Sequence, residues 1–372
     1  MVTVLAIFAL GIWLSMAVGQ LVLVIYARRK SSREQQGPAT QPPLSLLKPL
    51  KGAPPDLREN LESFFRLDYP QYELLFSVSD ENDPALEIVR ELQAKYPDRD
   101  ARWVCSPKIA SVINPKIGTL MAPYAAAKYD WLLLTDSNVH LPTDYLRNLS
   151  RYLTPATGLV TAVPMAFRAS GIGGRLDASM LNTFYAKGMW LGALLGRPIA
   201  AAKSQCFRRS EAERFGGLAV LGDYLADDVR LGKLFEKQGL GVCLMAEPVP
   251  QSCVGLSVRA FWLRHLRWFR NRRSLLPKLY WMEPFLSTLG AGLAGAFAAR
   301  FLFGWQVGFF LAAHFLFFWL TDSFFSHGYN PVFWVLSLLA RHLLWVQGLL
   351  GREVEWGGKY WRLHPGGRIE PL

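Results

Sequence analysis

Charged side chains gather at a few sharply bounded places in this chain. Trp131–Leu134 is a short apolar run that ends in Thr135, Asp136, Ser137 and Asn138. A carboxylate two positions from an amide suits a hard divalent cation that also holds substrate phosphates. The competing use of Asp136 and Asn138 is a turn that closes a strand. Asp80, Glu81, Asn82 and Asp83 directly follow a second apolar run, Tyr72–Val78. One acid is enough to cap a helix starting near Pro84. The surplus suits contacts from Asp80 or Asp83 to a nucleoside at a strand tip. Lys116, within Asn114–Ile117, is either a solvated lysine or a compact charge for a pyrophosphate. Asp227 and Asp228 open a helical pattern that runs to Lys237. Acids there complement the helix dipole, or one of them accepts a hydroxyl proton as a general base. Arg264 and Arg267 lie three apart on one helical face, with Trp268 next. Paired guanidinium groups of this kind suit phosphate.

These residues need a scaffold that brings strand ends and helix starts together. Short apolar runs at 44–48, 72–78, 102–105, 131–134, 158–163 and 241–247 alternate with helical patterns at 57–65, from just after Ile117 through Lys128, and at 227–237. That alternation predicts an α/β sheet. Ligands of open α/β sheets bind beyond the carboxyl ends of the strands, where Asp80, Asp83 and Asp136 fall. Residues 178–195 predict a helix with exposed aromatics. Residues 203–208 predict a strand and turn.

The composition narrows the class. Of the 372 residues 51% are hydrophobic, with the excess at the two ends, and the net charge is +12. Residues 3–26 are almost wholly apolar and meet Arg28, Arg29 and Lys30. A run of about 20 apolar residues spans a bilayer. The basic cluster comes after the run, which argues for an anchor over a cleaved signal and places the chain beyond residue 30 in the cytoplasm. The segment 257–273 interleaves aromatics with six arginines and reads as an interfacial membrane helix. Nucleic-acid binding is the competing reading of that composition, and the apolar flanks argue against it. Apolar stretches at 284–303 and 305–321 predict a membrane hairpin turning at Gly304. Residues 331–350 carry Arg341 and His342 in mid-segment, which predicts a re-entrant or interfacial helix. The four cysteines form no C-x-x-C pair and the six histidines show no ligand spacing. That excludes a disulfide frame and a zinc site. The expected organisation is an anchor at 1–27, a linker at 28–43 and a sheet domain at 44–256. Next come an interfacial region at 257–282, membrane helices at 283–351 and a cytoplasmic tail at 352–372.

Taken together, Leu47–Gly52, Ser79–Ala85, Asn114–Ile117, Asp136–Asn138, Ala226–Asp228 and Arg264–Trp268 resemble the motifs of the ceramide glucosyltransferase family. This is family 21 of the membrane-bound glycosyltransferases with a GT-A fold, and the resemblance runs from about Leu47 to the tail. It implies a Rossmann-like mixed sheet and an inverting transfer from UDP-glucose to a lipid hydroxyl, with ceramide as acceptor and Mg²⁺ or Mn²⁺ as cofactor. Asp80 and Asp83 are then expected near the uridine. Asp136, with Asn138, would meet the metal and pyrophosphate, and Asp228 would be the base. Arg264, Arg267 and Trp268 would surround the diphosphate and acceptor. The family's glycine-rich turn before Ser204 is replaced by Ala201, Ala202 and Lys203, which bears on substrate identity. A related branch adds N-acetylglucosamine to hopanoid lipids, and processive polysaccharide synthases share the acidic motifs; both are alternatives. The expected setting is a bacterial inner membrane with the catalytic domain cytoplasmic.

Overall fold

The computed structural model describes residues 1–33, 40–107, 109, 112–325 and 330–372. A long helix α1 (Val2–Arg33) leads the chain. It continues past the expected end of the anchor, and residues 34–39 of the expected linker lie outside the described residues. The sheet domain then runs β1 (Leu44–Pro49), α2 (Leu57–Phe65), β2 (Tyr72–Val78), α3 (Ala85–Lys95), β3 (Ala101–Cys105), α4 (Pro115–Ala126), β4 (Trp131–Leu134) and α5 (Tyr145–Ser150). β5 (Thr157–Thr161), β6 (Pro164–Ala169), α6 (Gly171–Met180), a π turn (Leu181–Tyr185) and α7 (Ala186–Leu194) come next. β7 (Gln205–Arg208), α8 (Arg209–Glu213), α9 (Asp227–Lys237), β8 (Gly241–Leu244) and β9 (Val249–Cys253) complete it.

Seven strands form one mixed sheet in the order β3-β2-β1-β4-β7-β5-β8. β1, β2, β3 and β4 are mutually parallel where they pair, and β7 enters antiparallel between β4 and β5. Every residue of β2 is buried and β1 nearly so, as expected for parallel strands covered on both faces. One core layer packs Leu46, Phe64, Phe76 and Leu133 beneath α2 and α3. The opposite layer packs Leu47, Leu120, Leu132 and Phe207 beneath α4 and α9. β6 and β9 pair as a separate two-stranded sheet that the sequence pattern does not announce. Cys206 and Cys253 are buried, and all four cysteines are free thiols.

The carboxyl half is helical: α10 (Val258–Leu275), α11 (Pro277–Met282), α12 (Thr288–Phe303), α13 (Val307–Asp322) and α14 (Pro331–Leu349). Gly304, at φ 69°, ends α12 in a left-handed turn that a side chain would strain. α1 packs on α12 and α13. A Cβ on Gly295 would lie 2.5 Å from Phe310 and 2.6 Å from Trp13, so this bundle closes around a missing side chain. Three helices, covering Val2–Lys30, Val307–Phe325 and Pro331–Leu349, are long and apolar enough to cross a membrane, and α12 is a shorter apolar helix. The chain is a membrane protein.

The structure refines three sequence expectations. α14 is one uninterrupted helix from Pro331 to Leu349. It packs along α6 and α10, which lets Arg341 lie 4.8 Å over the Phe184 ring instead of meeting lipid. The aromatics of 178–195 are not generally exposed: Trp190 is buried against Tyr26 of α1, and Phe184 and Tyr185 are half-buried. Residues 352–372 are not a plain tail. They form a three-stranded sheet of β10 (Glu353–Trp356), β11 (Lys359–Leu363) and β12 (Ile369–Pro371). Its Trp361 and Ile369 pack with Ile113 and Leu225 of the sheet domain.

Asp322 fastens the two halves together. It is buried and takes an ion pair from Lys187 of α7 at 2.7 Å. It also accepts hydrogen bonds from Gln20 of α1 at 2.7 Å and Trp334 of α14 at 2.9 Å. A buried carboxylate held by a cation and two neutral donors is fully compensated.

Candidate active site

The sheet's carboxyl ends converge through register. Leu47 pairs with Leu134 in parallel, and Leu134 pairs with Gln205 in antiparallel. The end of β1, the residues just past β4 and those just before β7 therefore share one edge. Lys48, Asp136 and Lys203 meet there. Lys203 donates to Asp136 Oδ2 at 2.7 Å and to Asn138 Oδ1 at 2.8 Å. Lys116 approaches Asp136 Oδ1 at 3.3 Å. Lys48, which is buried, donates to the Asp136 carbonyl at 2.8 Å and stands 3.7 Å over the Phe64 ring. Burial opposes ionisation of Asp136, but Lys116 and Lys203 hold its carboxyl well below the usual carboxylate range. Burial pushes the Lys48 ammonium well below the ordinary lysine value, with Asp136 opposing.

Lys116 owes its position to a helix start. The buried Asn114 caps α4 by accepting from the N–H groups of Lys116 and Ile117, and Pro115 occupies the first turn. This is a strong N-terminal signature. The Lys116 side chain then spans to Asp227 Oδ2 at 3.1 Å. Burial opposes its charge, but Asp136, Asp227 and Asp228 raise its pKa above the ordinary lysine value.

Asp227 and Asp228 sit in the first turn of α9 and part company there. Asp227 is buried in its ion pair with Lys116. Asp228 is half-buried, and its oxygens accept main-chain N–H groups from Val229 at 2.8 Å and Ala202 at 3.1 Å. Burial, and then the neighbouring Asp227 carboxylate, push the Asp228 pKa up to about 6. A carboxylate poised near neutrality is matched to proton transfer.

α10 brings the arginines. Arg264 pairs with the buried Asp177 at 2.9 Å. His265 Nε2–H donates to the other Asp177 oxygen at 2.8 Å, and the Tyr185 hydroxyl donates to His265 Nδ1 at 3.2 Å. Burial opposes ionisation of Asp177, but His265 and Arg264 bring its pKa down to about 2. Arg267 reaches the Glu355 carbonyl at 3.5 Å and lies 5.6 Å over the Trp356 ring. Burial, and then Arg264, push its pKa down to about 10. Trp268 meets His265 and Tyr185 edge to face, each at 5.0 Å.

One cavity of about 1650 Å³ is lined by Lys116, Asp136, Asn138, Lys203, Asp227, Asp228, Arg264, Arg267 and Trp268. It continues between Gln20 and Leu23 of α1, Leu191 of α7, Leu286 and Phe318. The expected residues Asp80 and Asp83 do not join this lining, although Ser79 at the same strand tip does. Asp83 accepts from Ala85 N–H at 2.9 Å and from Gly52 N–H at 2.9 and 3.0 Å, tying the β1 loop to the start of α3. Asp80 is exposed and accepts from Asn82 N–H at 2.9 Å. Sequence reasoning alone does not reach Lys48, Lys203, Asp177, His265 or Trp356 as site residues. Lys48 lies inside the Leu47–Gly52 motif, but its burial is not legible there.

Asp136 Oδ2 and Asn138 Oδ1 converge on one cationic centre, the Lys203 ammonium. Two protein oxygens plus substrate phosphates match the way magnesium is commonly held. Among the described residues no group of three or more His, Cys, Asp or Glu converges on a metal position. A divalent ion here would therefore take its remaining ligands from diphosphate and water.

Comparison with known proteins identifies the family and the fold. Residues 8–369 match the model of glycosyl transferase family 21. Ceramide glucosyltransferase 1 of Caenorhabditis elegans is 27% identical over 363 residues, covering 94% of this chain and 78% of that protein. Ceramide glucosyltransferase of Komagataella phaffii is 26% identical, covering 86% and 82%. The mannosyltransferase PcManGT from Pyrobaculum calidifontis, solved with GDP-Man and Mn²⁺, superposes with a TM-score of 0.54 at 17% identity, over 94% of this chain and 99% of that one. That likeness establishes the GT-A-like fold. The match spans nearly the whole chain, from the anchor helix to the last strand, and the protein belongs to glycosyl transferase family 21.

Proposed function

We propose that this glycosyltransferase moves glucose from UDP-glucose to a hydroxyl of a membrane lipid, with ceramide as the acceptor and inversion at the anomeric carbon. The observation that carries the reading is the continuity of the cavity. Its polar end gathers Lys116, Arg264, Arg267 and Asp228, and its other end is walled by Leu23, Leu191, Leu286 and Phe318 near the membrane helices. A diphosphate suits the first environment and lipid chains the second. The names of the family relatives, ceramide glucosyltransferases, support glucose as the sugar and ceramide as the acceptor.

In this reading Lys116, Arg264 and Arg267 hold the donor diphosphate. Asp177 fixes the Arg264 guanidinium, and Trp356 backs Arg267. Asp228 takes the proton from the lipid hydroxyl as that oxygen bonds to the anomeric carbon. The bond from that carbon to the diphosphate oxygen breaks, and its electron pair leaves with UDP. Asp136 and Asn138 would hold Mg²⁺ or Mn²⁺, which when bound offsets charge on the diphosphate as a Lewis acid. Asp83 braces the loop at Gly52, and Asp80, exposed at the tip of β2, is the residue assigned to the uridine.

The membrane arrangement in this reading has α1, α12 and α13 crossing. α14 lies in the interface, with its inner face on α6 and α10 and Val332, Val335, Leu339 and Leu343 exposed on the other. Arg28, Arg29 and Lys30 support a cytoplasmic catalytic unit by the positive-inside rule, and in this reading the membrane is a bacterial inner membrane.

The test uses purified protein in nanodiscs with Mg²⁺ or Mn²⁺ and follows lipid-linked sugar by mass spectrometry. UDP-glucose with ceramide is expected to give glucosylceramide. Product only from UDP-N-acetylglucosamine with a hopanoid polyol would overturn the donor and acceptor while leaving the chemistry of the site.

A further inference from the structure

The cationic centre between Asp136 and Asn138 belongs to the protein itself. Lys203 is only 16% exposed and binds both oxygens within 2.8 Å. Three features make this a built contact. β7 pairs antiparallel with β4, which fixes the residues before Gln205 beside those after Leu134. The flanking chain is pinned, with Ala201 N–H donating to Thr161 Oγ1 at 3.0 Å and the Tyr145 hydroxyl donating to the buried Ser204 at 2.7 Å. Ala202, next to Lys203, donates its N–H to Asp228. Asp136 meanwhile receives Lys116 on its other oxygen and Lys48 on its carbonyl. A divalent ion approaching this edge meets two ammonium groups already on the carboxylate. Like charges at such separations repel strongly in a half-buried site.

We propose that Lys203 is a tethered counter-cation that holds the metal seat closed until a nucleotide diphosphate arrives. The inference rests on the reading of Asp136 and Asn138 as that seat. The diphosphate brings negative charge to which the Lys203 ammonium transfers, and Asp136 Oδ2 and Asn138 Oδ1 are then freed for the metal. No bond to carbon changes in this step. The donor-free enzyme accordingly binds divalent metal weakly. Metal and nucleotide bind with strong mutual dependence, as reciprocity of coupled sites requires.

Mn²⁺ titration monitored by electron paramagnetic resonance tests this on the full-length protein in detergent, with and without UDP. Wild type is expected to bind Mn²⁺ weakly alone and much more tightly with UDP. Lys203→Met should tighten UDP-free Mn²⁺ binding by roughly tenfold or more, and Lys203→Arg should not. Asp136→Asn added to Lys203→Met should abolish the gain, which locates the ion. A melting temperature within a few degrees of wild type confirms that each variant is folded, and the arginine variant serves as a second folded comparison. UDP-promoted binding in every form with no gain from Lys203→Met overturns the role of Lys203 alone. Absence of UDP-promoted Mn²⁺ binding in wild type and Lys203→Met overturns the metal seat and this inference with it.

Discussion

Lys116 holds Asp227 at 3.1 Å, and that pairing separates two adjacent acids into different roles. Asp227 becomes the buried partner of a cation. Asp228, one residue on, keeps its oxygens on main-chain N–H groups, and no ion pair to it is found among the described residues. Asp228→Asn is therefore expected to reduce turnover by about 10²–10⁴, the usual worth of a general base, with UDP affinity little changed. Asp227→Asn frees Lys116 and should raise the donor KM with a smaller loss of kcat. Steady-state kinetics with the donor varied checks both, and normal turnover by Asp228→Asn would sink the assignment.

The raised pKa of Asp228 gives a pH dependence with a definite sign. Only the ionised carboxylate accepts a proton, and its pKa lies at about 6. The value of kcat/KM is expected to be level above that pH and to fall about tenfold per unit below it. Initial rates between about pH 5 and 8, spanning that value, read the profile. A flat profile through the acid limb is incompatible with Asp228 as base.

Asp177 is a positioning residue whose loss is felt in stability and in donor affinity together. It is wholly buried between Arg264 and His265. Removing one partner of a buried pair strands the other charge, at a cost of about 3 kcal/mol. Asp177→Asn should lower the melting temperature and raise the donor KM through the freed Arg264. Its pKa is depressed to about 2, so its contribution to stability is present above the unfolded value of about 3.9. That contribution fades as pH falls from there to about 2. Acid melting of wild type against Asp177→Asn should converge in that window.

Trp356 reaches the site from the last sheet of the chain. Its ring supports Arg267, and a partly desolvated cation–π contact is worth about 1 kcal/mol. Trp356→Ala is expected to weaken UDP binding about fivefold while kcat at saturating donor changes little. Calorimetric titration with UDP measures it, and unchanged affinity would show that the closing sheet does not serve the donor.

Much of this protein was legible in the chain because local physics wrote it there. Apolar runs ending in acids gave β2 and β4 with Asp80 and Asp136 at their tips. A helical pattern running through Lys128 gave most of α4 with Lys116 just before it, while the Asn114 cap and Pro115 that fix its start came from the structure. Arg264, Arg267 and Trp268 share one helix, and helical spacing alone puts the two arginines on one face. The long apolar run of α1 came from composition, and the break at Gly304 between α12 and α13 from the one residue at ease with positive φ.

What the chain could not state is which segments become neighbours. Nothing near Lys203 predicts Asp136; the antiparallel entry of β7 beside β4 brings them within 2.7 Å across 67 positions. Asp177 is an unremarked acid in α6 until α10 packs against it and buries it with His265 and Arg264. Trp356 lies in a segment without a motif until pairing of β10, β11 and β12 gives it a sheet to stand on. Asp227 and Asp228 are alike in local chemistry; the family resemblance singled out Asp228, and the reach of Lys116 from α4 supplies the physical difference between them. Side-chain type and spacing determined which chemistry was available. Sheet order and helix packing, set by burial summed over distant segments, decided which residues perform it.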